Sequence, residues 1–373
     1  MKCGLVLGGG GTRGSYHIGA WQALRECGIE ISGIVGTSIG AVNGALLAQG
    51  GEETAKQLWN HISLGDIVKL PDGINETENL FHIKNLTTIA KEITKQSGLD
   101  ISPFETLLKK IINEDVIRSN EIDYGLVTFS LTEKSEHALF KEQIPVGQLA
   151  DFVLASASMP GFQTKKIGDA VYVDGGVSNN IPVNMMVDRG YEDIIVIDVA
   201  GVGIARNQSF YAKNIIHVKC SSAAVGTMDF RPEAIAENTK MGYFETLKAL
   251  GKTAGNLYSF RVSDYYEARE KYAAGLIEGL EEAAKILEMD KYQIYSIEHF
   301  VKKAAECYRE EAKAHTEFDI KSVLSDKAKL CHLTRAMIED NYEILNNKLL
   351  ADLLGDVYEG ASALAYFCKK FLL

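Results

Sequence analysis

The stretch Gly33-Ile34-Val35-Gly36-Thr37-Ser38-Ile39-Gly40-Ala41-Val42 decides how this chain folds. Its first half is a short apolar run with strand character, and its second half opens a helix of small and apolar residues. Between them stands the spacing Gly36-x-Ser38-x-Gly40. A strand that gives way to a helix within one residue requires a sharp turn, and a Cβ on either flank would clash inside it, so glycines stand there. A serine at the apex is held in a strained conformation with its hydroxyl above the sheet, the setting of a nucleophile. The five-residue string alone is weak; the strand-to-helix setting gives it weight.

Working outward, residues 3–8 read as a buried strand, followed by the cluster Gly8 to Gly11 and a helix over residues 14–27. Residues 39–49 read as a second helix. Strand, helix, strand, helix in such tight alternation predicts an α/β fold with a mainly parallel sheet covered by helices. Residues 51–118 read as mostly helical, with Ser102-Pro103-Phe104-Glu105 as a capping-box start. Strand signals return at 124–131, 137–140, 170–173, 194–199 and 214–218. After about residue 230 the pattern is helical throughout, with long helices expected over 265–289, 298–315 and 325–349. Gly251 and Gly255 mark the boundary between a domain at 1–250 and a helical C-terminal region at 251–373. In the last segment Leu350, Leu353, Leu354, Val357, Ala361 and Leu364 share one helical face. That face suits docking on the body; the terminal lysines also suit a transient contact with a membrane surface.

The 373 residues are 46% hydrophobic and 24% charged, ordinary for a globular protein with a sizeable core. The formal net charge is −11, with the acidic excess in the first 200 residues. Phosphate-backbone binding needs a basic surplus, so nucleic acid is excluded as a partner. The six cysteines are scattered, with no C-x-x-C pair, which implies thiols in a reducing compartment. No apolar stretch is long enough to span a membrane, and residues 3–8 are too short for a signal peptide. A cytoplasmic location is expected, peripheral to the membrane if the tail touches one.

Gly9-Gly10-Gly11-Thr12-Arg13-Gly14 fits G-x-G-x-x-G, so dinucleotide binding is one reading. That reading needs a carboxylate ending the second strand to hold a ribose hydroxyl. Here the strand ends at Gly36-Thr37-Ser38. The alternative is an oxyanion loop. A serine attacking an ester forms a tetrahedral oxyanion that requires preorganised donors, and glycines let backbone N–H groups turn inward. Gly10 and Gly11 are assigned as donors, with the N-terminus of the second helix adding its dipole. The serine also needs a base. None of the eight histidines lies in an obvious catalytic loop, although His17 sits just behind the glycines. Asp174 is better placed. It ends a strand and precedes Gly175-Gly176, although a turn-forming role would also put an aspartate there.

These motifs, in this order, resemble the patatin-like phospholipase family, whose members use a Ser–Asp dyad without histidine. The resemblance covers about residues 4–200. It rests on Gly9 to Gly14, on Gly36-Thr37-Ser38-Ile39-Gly40 and on Asp174-Gly175-Gly176. Two flanking segments complete it: Ala155-Ser156-Ala157-Ser158-Met159-Pro160-Gly161-Phe162 and Asn179-Asn180-Ile181-Pro182. It implies a three-layer α/β/α sandwich and hydrolysis of acyl esters in phospholipids, lysophospholipids or other lipids, with no metal or cofactor. Ser38 becomes the nucleophile, Asp174 the base, and Gly10, Gly11 and Ile39 the oxyanion donors. Arg13 matches the family's basic position, which binds lipid phosphate or shapes the loop in some relatives; a structural salt bridge is the plainer reading. A non-catalytic interaction protein on the same scaffold is the alternative. Oligomeric state is not legible.

Overall fold

The computed structural model describes residues 2–70, 98–205, 214–221, 226–272, 275–314, 331 and 355–371. The chain divides into two compact units, Met1–Ala249 and Leu250–Leu373.

The first unit is built on one eight-stranded sheet: β1 (Cys3–Leu7), β2 (Ile31–Thr37), β3 (Asp123–Ser130), β4 (Ser135–Phe140), β5 (Lys165–Ile167), β6 (Ala170–Asp174), β7 (Asp193–Asp198) and β8 (Asn214–Lys219). The order is β5-β6-β3-β2-β1-β7-β8, with β4 paired to β3. The run β3-β2-β1-β7-β8 is parallel, while β4, β5 and β6 join antiparallel. The central strands are buried almost throughout, as strands covered on both faces must be. One face carries Val6, Val35, Val127 and Val196, packed with Met185 and Met186 of the helix Val183–Asp188. Residues of the other parity meet α2 (Ile39–Ala48), where the Tyr124 hydroxyl donates to the Ala41 carbonyl at 2.8 Å. Helices on both faces give the three-layer α/β/α sandwich. On that second side α1 (Ser15–Glu26) crosses the helix Pro232–Ala249 at glycine contacts: a Cβ on Gly19 would lie 1.8 Å from the Thr239 carbonyl oxygen, and one on Gly242 2.1 Å from that of Tyr16.

The arrangement around β3 positions the site. β4 covers one edge of β3 from Gly125 to Ser130. The other edge is shared end to end. β2 runs parallel along it as far as Thr37, opposite Val127. β6 descends antiparallel to Asp174, opposite Thr128. The two strands therefore meet nose to nose.

Several local expectations change. Ser102 is the first residue of its helix, not its cap; the Asp100 carboxylate takes the Ser102 N–H, and Glu105 pairs with Lys109 and Lys165. Residues 124–131 read as one strand correctly, but the three-residue β5, with two lysines and no alternation, left no sequence signal.

In the second unit the expected helix over 265–289 is two, Val262–Lys271 and Leu276–Ile286, the second preceded by Gly275 at φ 86°. The helical pattern also hides a two-residue parallel pairing of Ser259–Phe260 with Ile294–Tyr295. The core is aromatic, centred on Tyr258, Phe260, Tyr295, Phe300 and Phe367. The helix Asp356–Phe371 buries Val357, Ala361 and Leu364 in it, so that face is docked. Leu350, Leu353 and Leu354, and the helix expected over 325–349 apart from Cys331, lie outside the described residues. Glu281 is buried in this unit, and its carboxylate accepts the N–H groups of Asn256, Leu257 and Tyr258.

Candidate active site

Ser38 stands at the junction of β2 and α2 with φ 56° and ψ −127°, a region that non-glycine residues avoid. The turn that imposes this conformation leaves no room on either flank. A Cβ on Gly36 would lie 2.3 Å from the Gly40 carbonyl group, and one on Gly40 2.1 Å from the Leu7 carbonyl oxygen. The two glycines are therefore needed for close backbone approach, and the serine carries the strain.

The meeting of β2 and β6 brings Ser38 and Asp174 together. The Ser38 hydroxyl donates to Asp174 Oδ2 at 2.5 Å. The other carboxylate oxygen, Oδ1, accepts the Gly176 N–H at 2.7 Å. Asp174 is only 6% exposed. Burial pushes its carboxyl up to about 6 against the opposing effect of its two hydrogen bonds. Gly175 lets the chain leave β6 tightly, since a Cβ there would lie 2.2 Å from the Val127 carbonyl oxygen.

That Val127 carbonyl sits where one strand partner ends and the next begins. Ser156, fully buried at the end of the helix Leu149–Ser156, donates its hydroxyl to it at 2.6 Å. The same hydroxyl accepts the Ser38 N–H at 3.0 Å. Ser156 thus holds the backbone of Ser38. Sequence reading gave it no role; the only local hint is a polar residue closing the apolar run Phe152-Val153-Leu154-Ala155.

The glycine loop folds over the serine. A Cβ on Gly9 would meet Asn180 Oδ1 at 2.3 Å and Ser38 Cβ at 3.1 Å, and Gly11 has φ 60°. Thr12 anchors the loop through its N–H to Thr227 O at 2.9 Å and its hydroxyl to Gly226 O at 2.6 Å. The N–H groups of Gly10, Gly11 and Ile39 take part in no hydrogen bond among the described residues. Gly14 is pressed against Ile39 and Trp59. Arg13 donates to the Ala200 carbonyl, while its own carbonyl accepts from Asn238 at 2.9 Å. It ties the glycine turn to the loop after β7 and is not among the residues lining the cavity.

The cavity has a volume of about 660 Å³. Gly10, Gly11, Ser38, Ile39 and Asp174 line its polar end, and its walls include Trp59, Ile62, Ile67, Phe104 and Phe162. Among the described residues no histidine lines it. His17 is buried behind the loop, with Nδ1 3.1 Å from Asn43 Nδ2, and burial pushes it down to about 3. No cluster of three His, Cys, Asp or Glu that could hold a metal occurs among the described residues.

Residues 5–187 match the Patatin family, described as patatin-like phospholipase. Patatin-like phospholipase domain-containing protein 7 of Rattus norvegicus is 30% identical over 200 residues, 52% of this chain and 13% of that protein. Lysophospholipase NTE1 of Cryptococcus neoformans var. neoformans is 29% identical over 203 residues, 54% of this chain and 11% of that protein. The chain thus spans a small part of the relatives it matches. The crystal structure of VipD from Legionella pneumophila aligns with a TM-score of 0.45 at 14% identity, over 98% of this chain and 90% of that one. Residues 5–187, just under half of the chain, thus carry a patatin-like phospholipase domain.

Proposed function

We propose that this protein is a serine acyl hydrolase that cleaves acyl esters of lipids, phospholipids and lysophospholipids included, with a Ser38–Asp174 dyad. The observation that carries this reading is the 2.5 Å hydrogen bond from the Ser38 hydroxyl to a buried carboxylate at the polar end of an apolar cavity. The apolar walls accept an acyl chain, which leaves its ester carbon beside Ser38.

Ser38 Oγ attacks that carbon as Asp174 Oδ2 takes the hydroxyl proton. An ordinary carboxylate is a weak base for this task; at about 6, Asp174 is a stronger one yet still mostly ionised at neutral pH. The N–H groups of Gly10, Gly11 and Ile39 hold the oxyanion, with the α2 N-terminus adding its dipole. Collapse expels the alcohol, which receives the proton from Asp174. Water then attacks the acyl-enzyme, Asp174 takes its proton, and the acid is released as Ser38 regains its hydrogen. Residues 1–250 carry this chemistry.

The test is release of p-nitrophenol from p-nitrophenyl butyrate, together with fluorophosphonate labelling. Wild type should turn over and be labelled at Ser38, and Ser38→Ala should do neither. Turnover that survives in Ser38→Ala refutes the assignment of the nucleophile. A wild type that neither turns over nor labels supports a non-catalytic scaffold instead.

A further inference from the structure

Asn180 is 4% exposed and stands where three loops converge. A Cβ on Gly9 would lie 2.3 Å from Asn180 Oδ1, one on Gly176 2.9 Å from the same atom, and one on Gly203 2.7 Å from its Cβ and Cγ. Three glycines from three separate segments are thus packed on one side chain. The backbone of Asn180 is fixed as well, since its N–H donates to Ile204 O at 2.7 Å.

The contacts with Gly9 are the informative ones. The Gly9 N–H donates to the Asn180 carbonyl at 3.2 Å, and Asn180 Nδ2 donates to the Gly9 carbonyl at 3.2 Å. One residue therefore holds both polar groups of Gly9. The Gly9–Gly10 peptide is trans, as all are among the described residues, so its C=O and N–H point in opposite directions. Fixing the Gly9 carbonyl on Asn180 fixes the Gly10 N–H on the far side of the peptide plane. Without that hold, a peptide flanked by two glycines has little to prevent it from rotating. An oxyanion donor must be oriented before the charge develops, because reorientation during the reaction costs the rate advantage.

We propose that Asn180 is a positioning residue for the oxyanion hole, aiming the Gly10 N–H at the reacting carbonyl through its grip on Gly9. The inference rests on the hydrolase reading above. It is tested with Asn180→Ala and Asn180→Asp, using p-nitrophenyl butyrate as substrate and an alkyl trifluoromethyl ketone as inhibitor. With the ketone, Ser38 Oγ bonds to the carbonyl carbon, the π electron pair moves to the oxygen, and the hydroxyl proton passes to Asp174. The resulting hemiketal oxyanion reports on the donors directly.

In Asn180→Ala, kcat should fall on the order of 100-fold, as for loss of one oxyanion donor. KM should stay within about threefold, and the inhibition constant of the ketone should rise by a factor similar to the loss in kcat. A residue that merely supported the fold would raise KM or lower the melting temperature without this parallel. Asn180→Asp adds a pH signature and carries the test if the alanine variant does not fold. When protonated, the introduced carboxyl has an O–H for the Gly9 carbonyl; when ionised, it opposes that carbonyl. The ratio of variant to wild-type kcat should therefore rise as pH falls. A kcat within threefold of wild type in Asn180→Ala, ketone affinity unchanged while kcat falls, or a pH-independent ratio in Asn180→Asp overturns the inference. Full turnover in Ser38→Ala would instead overturn the hydrolase reading on which it rests.

Discussion

Thr37 pairs with Val127, and Asp174 pairs with Thr128, on the same edge of β3. One strand ascends that edge and the other descends it, so the residue after Thr37 and the last residue of β6 face each other across the gap. The 2.5 Å contact between Ser38 and Asp174 follows from strand register, although the two residues are 136 positions apart. A pair held by the sheet needs no flexible loop to bring it together, and its geometry is as rigid as the strands.

The first prediction concerns acid. If Asp174 acts as the base, it must be ionised, and burial pushes its carboxyl up to about 6. In a pH–rate profile for p-nitrophenyl butyrate, kcat/KM should rise about tenfold per unit below pH 6 and level off above it. A profile that breaks near pH 4 would indicate a solvated carboxylate, and a break near pH 6 that disappears when a histidine is replaced would indicate a different base.

The same group makes stability depend on pH in the opposite sense. Unfolded, an aspartate loses its proton near pH 4; in the folded state Asp174 keeps it to about 6. Its contribution is fully present below pH 4 and is lost as pH rises through 6, by about 3 kcal/mol. Asp174→Asn cannot ionise. The stability difference between this variant and wild type, from urea titrations, should therefore shift in favour of the variant between pH 4 and 7, while its turnover stays near background.

How much of this was legible in the sequence differs by element. The β1–α1–β2–α2 order was readable because glycines and apolar runs are local signals. The placement of Asp174 at a strand end was also readable, but that strand's pairing with β3 was not. Three residue pairs, formed antiparallel beside an otherwise parallel set, are decided by tertiary contacts. Ser156 and Asn180 were unreadable as site residues for a related reason. Each acts through hydrogen bonds to backbone more than 100 positions away, and such bonds leave no periodicity. The helix expected over 265–289 shows the opposite error: its apolar spacing survives an interruption that only the positive φ of Gly275 reveals.

Ser156→Ala should have two effects. Removing the hydroxyl leaves the Ser38 N–H and the Val127 carbonyl without the partner each now has. A buried polar group left unsatisfied costs about 1–3 kcal/mol, so the denaturation midpoint should fall measurably. Because one of the two groups belongs to the strained residue, kcat should also fall, about tenfold or more, with KM little changed. Ser156→Ala with wild-type kcat would show that the turn around Ser38 holds itself.

The glycines flanking Ser38 should tolerate nothing larger. In Gly40→Ala the added carbon would lie 2.1 Å from the Leu7 carbonyl oxygen, and in Gly36→Ala 2.3 Å from the Gly40 carbonyl group. Both obstacles are backbone in the centre of the unit, so neither can swing aside. The cost should reach about 3 kcal/mol or more, a large share of a domain's stability. Loss of soluble protein, or a melting temperature lowered by many degrees, is expected for both.

The cavity walls predict how rate depends on acyl length. Trp59, Ile62, Ile67, Phe104 and Phe162 line the cavity, and each is less than a tenth exposed. Each methylene that leaves water for this surface is worth about 0.8 kcal/mol, or roughly fourfold in kcat/KM. Across p-nitrophenyl acetate, butyrate, hexanoate and octanoate, kcat/KM should therefore climb by about that factor per carbon until the slot is full. Ile67→Asn places an amide against the chain, where it meets no polar partner from the substrate. It should flatten the climb most for the longest esters. A series that is flat in wild type would mean that the acyl chain does not enter the cavity, and that the ester approaches Ser38 from another side.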